Sequence, residues 1–258
     1  MRCPVNPVWG LVEIAALAVL FFFGLWSIGP RLGIDPGAVA MYWALVAIGG
    51  TAVMWLSPVV LHRDPPALRG WGRRRADARD PGSFPNAWRT YGAFTLVAAL
   101  LLIAVALLKD PAPVAGINWT ALAIKFLGYL AFGVVQAFIF FGFVQTRVRT
   151  MIPLPPAPGS VQRHRLLVAL VTAGIFAVFH LPNLPLMGVV FATGLCWAWI
   201  FYKRPNVLLL GVSHAVLGTI LHRVVQMYMR IGPFYSEPDL YVFRSVIPGL
   251  KQLIGNQF

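Results

Sequence analysis

Long apolar runs without charge recur from one end of this chain to the other, and no other feature limits its fold as strongly. A helix needs about 17–25 predominantly apolar residues to cross the hydrocarbon of a bilayer. Seven runs serve as candidate helices, at 8–28, 39–61, 90–108, 119–145, 166–182, 184–202 and 206–229. The sequence therefore predicts an all-α fold: a polytopic transmembrane helical bundle of about seven helices. The fifth run is the weakest, because it is short and closes on Leu181-Pro182-Asn183-Leu184-Pro185, which cannot continue a regular helix. A re-entrant pair of segments is the alternative there.

Composition removes the competing classes. Hydrophobic residues make up 59% of the 258 and charged residues 11%, where an ordinary soluble domain has roughly 45–50% and 25%. A soluble globular enzyme, a disordered tail and a disulfide-stapled secreted domain are all excluded. Only Cys3 and Cys196 are present, too few for a disulfide framework. The first run is too long for the apolar core of a cleaved signal peptide, and no small-residue cleavage site follows it, so it reads as a retained first span.

The net charge of +13 would suggest nucleic-acid binding in a soluble protein. Here the basic residues lie mainly between the apolar runs, where they orient spans and meet anionic headgroups. One side would carry Arg2, the seven arginines of 62–89, then Arg147, Arg149, Arg163, Arg165, Lys203 and Arg204. The other would carry only Arg31, Lys109, Arg230, Arg244 and Lys251. By the positive-inside rule the N-terminus is cytoplasmic and the C-terminal tail is outside. Residues 1–229 then form one transmembrane domain with a basic cytoplasmic loop at 62–89, and 230–258 form an extracytoplasmic or interfacial tail. The expected partners are membrane lipids, including anionic headgroups, and other membrane subunits, with no nucleic acid. Without organelle signals, the Arg- and Pro-rich composition points to a bacterial cytoplasmic (inner) membrane.

Ionisable residues inside spans are costly, so each is a functional candidate. Glu13, near the start of the first helix, reads as an interfacial anchor favoured by the helix dipole. Lys125 reads as a snorkelling residue, and His222 and Arg223 as residues of the outer interface. His180 and His214 lie in apolar sequence, where a buried imidazole must find a partner. Each is either a hydrogen-bonded packing histidine or a ligand. Gly211, Ala215 and Gly218 share one face of the seventh helix and permit close helix approach, with His214 near the same interface.

The order of these features resembles the CPBP family of intramembrane proteases, which includes the CAAX prenyl endopeptidases. The resemblance covers about 119–229. It rests on Gln136-Ala137 with Phe141-Gly142 in the fourth span, on Phe176 with His180 in the fifth, and on His214 with Gly218 in the last. The family's first motif, Glu-Glu-x-x-x-Arg, falls on Gln136, Ala137 and Phe141. Phe-x-x-x-His is intact, and His-x-x-x-Asn keeps His214 but has Gly218 in place of asparagine. The resemblance implies that glutamate and histidines hold and activate a water for attack on a peptide carbonyl. It places the site at His180, His214 and the degenerate position Gln136, with His180 and His214 as the metal ligands if there are any.

Gln136 is nearly isosteric with glutamate but cannot take a proton, as a general base must. The asparagine would stabilise an oxyanion, and losing one such donor costs about 10²–10³ in rate. The leading expectation is a CPBP-like membrane protein that has lost protease activity and serves as an accessory, scaffolding or binding subunit of a membrane assembly. The alternative is an active intramembrane peptidase with an altered site, processing CAAX or leader-bearing substrates; only this alternative implies a divalent metal such as zinc. An axial histidine to a tetrapyrrole is a weaker third reading, because no heme-attachment motif is present. Ion-coupled transport is weaker again, for lack of carboxylates at the bundle centre.

Overall fold

In the computed structural model, side chains at each helix start explain where the chain leaves its turns. The structure describes residues 6–28, 44, 48–50, 54–64, 67–71, 81–153, 157–233 and 235–236. Four helices open on an asparagine whose side-chain oxygen accepts a backbone N–H two or three residues on: Asn6 from Val8 (2.9 Å), Asn118 from Ala121 (3.0 Å), Asn183 from Leu186 (3.1 Å) and Asn206 from Leu209 (2.9 Å). Such a cap satisfies one of the donors that every helix start leaves open, at about 1 kcal/mol each.

All regular structure among the described residues is helical. Helix α1 runs over Pro7–Phe23 and continues through a π-turn, Gly24–Ile28. The second run is described mainly at its end, where residues 54–56 are helical and Ser57–Leu61 forms a π-turn; this segment is called α2. Helix α3 is Phe84–Lys109. Helix α4 spans Trp119–Met151 in three parts, with a π-segment Ala137–Val144 between two α-helical stretches. Helices α5, α6 and α7 are Ser160–Val178, Leu184–Lys203 and Val207–Arg223. Five of these, α1 and α3 to α6, are long and apolar enough to cross a membrane; α2 and α7 are shorter apolar helices.

The expected order of seven helices is therefore found, with shifted boundaries. Helix α4 ends six residues beyond the apolar run, at Met151, and α5 begins at Ser160, not 166. Polar residues at those ends interrupt the apolar pattern without interrupting the helix. The prolyl turn after α5 is confirmed, with a cis bond at Leu181-Pro182. The helices on either side of it, α5 and α6, pack extensively against each other as an ordinary hairpin.

Helices α4 and α7 share the other large interface. A Cβ on Gly211 would sit 2.6 Å from Val134 Cγ2 and 2.8 Å from Val134 Cα, and one on Gly133 would sit 2.8 Å from the Gly211 carbonyl oxygen. The small-residue face of α7 thus does what its spacing predicts: it lets two backbones touch. Helix α3 lies on the opposite flank of α7.

Contacts also show which helix ends share a level. Glu13 of α1, Ser57 and His62 at the end of α2, and Arg147 near the end of α4 meet in one cluster. Tyr91, in the third turn of α3, donates to the Arg204 carbonyl after α6 (3.0 Å), and Asn206 donates to Gly82 (2.9 Å). The start of α1 and of α3, the ends of α2, α4 and α6, and the start of α7 therefore share one end of the bundle. Arg63, Arg147, Arg149, Arg165, Lys203 and Arg204 lie at that end.

Candidate functional site

The π-segment of α4 is the local feature that matters most. π-helical turns are rare and frequently mark functional sites. From Phe140 to Val148 every residue is buried, because this third of α4 is enclosed on all sides. Helices α5 and α6 cover one flank with Phe176, Trp197 and Phe201. The loop 67–71 covers another: Thr146 Oγ1 donates to the Leu68 carbonyl (3.3 Å), and a Cβ on Gly142 would lie 3.0 Å from the Arg69 carbonyl oxygen.

His180 sits in the turn that ends α5. Its Nδ1 lies 2.9 Å from the Phe176 carbonyl oxygen, an acceptor, so Nδ1 carries the proton and Nε2 presents a lone pair. Phe176 packs edge-on against the same ring, with centroids 5.1 Å apart. The Phe-x-x-x-His spacing thus fixes both the tautomer and the orientation of His180. His214, on α7, is held among Trp197 (5.5 Å), Tyr129 (6.3 Å) and Phe132 (6.5 Å). Phe141 links their surroundings, since it meets both Phe176, which packs on His180, and Trp197, which packs on His214.

Gln136 closes the first α-helical part of α4. One turn earlier, Gly133 brings the α4 backbone so near His214 that an added Cβ would lie 2.9 Å from its Nδ1. His214 Nδ1 and Gln136 Oε1 are both buried without a hydrogen-bond partner. Unpaired buried atoms of this kind are uncommon and call for a reason. The fold thus gathers His180, His214 and the Gln136 turn at the junction of α4, the end of α5, and α7.

The remaining motif positions hold apolar chemistry. Ala137 is buried, and Phe141 is only 1% exposed, edge-on to Phe176 (5.7 Å) and Trp197 (6.2 Å) and tilted against Phe201 (6.1 Å). Gly218 lies under the Tyr129 ring, with 3.2 Å between its ideal Cβ and the ring edge. A zinc site needs three or four nitrogen, sulfur or oxygen ligands. Among the described residues no group of three His, Cys, Asp or Glu side chains is placed to hold a metal, and His180 and His214 supply two imidazoles.

Sequence reasoning missed a second polar cluster. Arg147, expected in a cytoplasmic loop, is wholly buried inside α4. Its Nε donates to Glu13, its Nη1 to Asp64 Oδ2 (2.6 Å) and its Nη2 to Ser57 Oγ (3.1 Å). Glu13 also accepts from Ser57 and lies 3.0 Å from His62 Nε2. Glu13 is therefore the half-buried partner of a wholly buried arginine, and its role is not limited to that of an interfacial anchor. The spacing carries one weak signal: Arg147 follows an uninterrupted apolar run by only two polar residues.

The family model described as Type II CAAX prenyl endopeptidase Rce1-like matches residues 118–220. That stretch is α4 to most of α7, the part of the chain holding Gln136, His180 and His214. Over this segment the chain is similar to that family, as the motif order indicates, and the match together with the apolar helices marks an integral membrane protein. No curated protein and no solved structure matches it.

Proposed function

We propose that this Rce1-like membrane protein has lost peptidase chemistry and serves as an accessory, scaffolding or binding subunit of a membrane assembly. The observation that carries the reading is Phe141. The position that matches the family's arginine is filled by a ring locked in a core of Phe176, Trp197 and Phe201. A guanidinium there would have to displace packed aromatics. With Gln136 and Ala137 at the glutamate positions, no carboxylate among the described residues joins His180 and His214 to take a proton. The basic end of the bundle supports a cytoplasmic N-terminus, and the chemistry suits a bacterial cytoplasmic membrane.

Purification of the full chain in mild detergent, with mass spectrometry of whatever accompanies it in stoichiometric amount, tests this reading. A reproducible membrane partner is expected. A clean monomer with no companion would count against it.

One observation favours an active peptidase. His214 Nδ1 and Gln136 Oε1 are both unpaired, and His180 Nε2 offers a lone pair, so three polar atoms await a water or a substrate amide. On that reading His180→Ala or His214→Ala abolishes cleavage of a prenylated or leader-bearing peptide. Unchanged cleavage in both variants removes it.

A further inference from the structure

Outside the segment that matches the family, loop 67–71 holds Arg69 in an unusual setting. The loop backbone is pinned on three sides. Thr146 donates to Leu68, Val207 N–H donates to the Gly70 carbonyl (3.0 Å), and Gly70, with φ of +76°, packs against the Phe201 ring where a Cβ would lie 2.7 Å from Cζ. Arg69 is thus placed by the fold and is not a loose surface arm.

Arg69 as a residue is 6% exposed, and neither Nε nor Nη1 has a hydrogen-bond partner. Arginine stays charged in proteins, so these are buried donors of a full cation. Burial pushes its pKa down, Asp64 opposes that shift, and Arg147 adds to it. The nearby carboxylate is already engaged, because Asp64 Oδ2 accepts from Arg147 at 2.6 Å. Arg69 thus has a carboxylate near enough to act on its charge but no hydrogen-bonded acceptor at Nε or Nη1.

Two exposed indoles frame the same place. The Arg69 guanidinium lies 6.0 Å from the Trp55 ring centroid, and Trp55 stands edge-on to Trp71 at 6.2 Å. Trp71 packs in turn on Phe138 of α4 at 5.7 Å. Trp55 is 48% exposed and Trp71 41%. Tryptophan at the end of a span prefers the headgroup level of a bilayer. Arg69 therefore combines a buried, unsatisfied cation with an aromatic frame at the basic end of the bundle.

We propose that Arg69, framed by Trp55 and Trp71, is the binding site for the phosphate of an anionic phospholipid headgroup. Phosphate is the matching chemistry, since its oxygens accept the N–H donors that the protein leaves open. The indoles favour a lipid as the source over free phosphate, because they place an apolar, lipid-contacting surface beside the cation. The site is independent of His180 and His214 and of whether peptidase activity survives.

The test uses the full chain in detergent, delipidated and then offered phosphatidylglycerol, with bound lipid read by native mass spectrometry. Wild type holds one tightly bound lipid, and Arg69→Gln lowers its affinity by about tenfold or more. Arg163→Gln, an exposed cation at the same end, leaves it unchanged. Equal retention in wild type and Arg69→Gln overturns the proposal. So does a site filled by inorganic phosphate that phosphatidylglycerol cannot displace. Should Arg69→Gln fail to fold, unmodified protein is irradiated with phosphatidylglycerol bearing a headgroup diazirine. Adducts concentrated at Trp55 and Trp71 support the site, and their absence from that stretch overturns it.

Discussion

Arg147 Nη1 donates to Asp64 Oδ2 across 2.6 Å while the same guanidinium pairs with Glu13, so one fully buried cation ties α1 and the segment after α2 to the end of α4. Removing one partner of a buried pair leaves the other charges uncompensated, at about 3–5 kcal/mol. Arg147→Ala is expected to lower the melting temperature in detergent sharply, and Arg147→Lys to recover only part of the loss. A melting curve equal to that of wild type would show that the cluster contributes nothing to the fold.

The α4–α7 contact permits a test by volume. Gly211→Leu forces a side chain into the Val134 backbone, where an added Cβ alone would lie 2.8 Å from Cα. Overpacking of this kind costs about 1–3 kcal/mol or more. Gly188→Ala in α6, where an added Cβ meets nothing within 4 Å, is the matched control and is expected to be neutral or stabilising. Thermal unfolding of both variants checks the pair.

Ser213 holds three helices together next to His214. Its hydroxyl accepts from Trp197 Nε1 (2.9 Å) and shares a hydrogen bond with Thr95 Oγ1 (2.6 Å). Ser213→Ala leaves a buried indole N–H unsatisfied, an expected loss of about 1–3 kcal/mol. A change in tryptophan emission should accompany the lower stability. No change in either would mean that Trp197 finds another acceptor.

Asn183 anchors the chain beyond α7. Besides capping α6, its Nδ2 donates to the carbonyls of Tyr228 (2.7 Å) and Arg230 (3.1 Å), and Gly232 N–H donates to Leu181 (2.8 Å). Asn183→Ala should therefore raise amide exchange across 226–232 while the helices keep their protection. Protection in 226–232 equal to wild type would assign the anchoring to packing alone.

Metal content separates the chemical readings. Two imidazoles with no third ligand among the described residues predict zinc well below one per chain in protein purified without added metal. Stoichiometric zinc lost in His180→Ala would reverse that expectation and bring the peptidase reading forward.

Much of this architecture is legible in the sequence because lipid leaves a chain few options. Apolar runs mark the helices, and the spacing of Gly211, Ala215 and Gly218 marks a close helix contact. The order of Gln136, His180 and His214 marks the segment that matches the family. Arg147 is not legible. A basic residue just past an apolar run reads as a loop residue, and the carboxylates that draw it inward lie 83 and 134 positions away. Arg69 is hidden for a related reason: an arginine in an Arg-rich loop looks solvated until Thr146 and Val207 are seen to pin its backbone. The early start of α5 is hidden as well, because Arg163, His164 and Arg165 break the apolar pattern, while His164 is satisfied by Tyr202 Oη (2.8 Å) and the Ile152 carbonyl (2.9 Å).

The Glu13–Arg147 pair has a consequence for how the protein is made. A ribosome delivers Glu13 to the membrane 134 residues before the guanidinium that neutralises it exists. Until the fourth helix emerges, the first carries an acid with no counter-ion from its final partner. In the interval Ser57 and His62 at the end of α2 are the described partners of Glu13 that already exist, so the second helix can shelter the acid until the fourth brings its guanidinium.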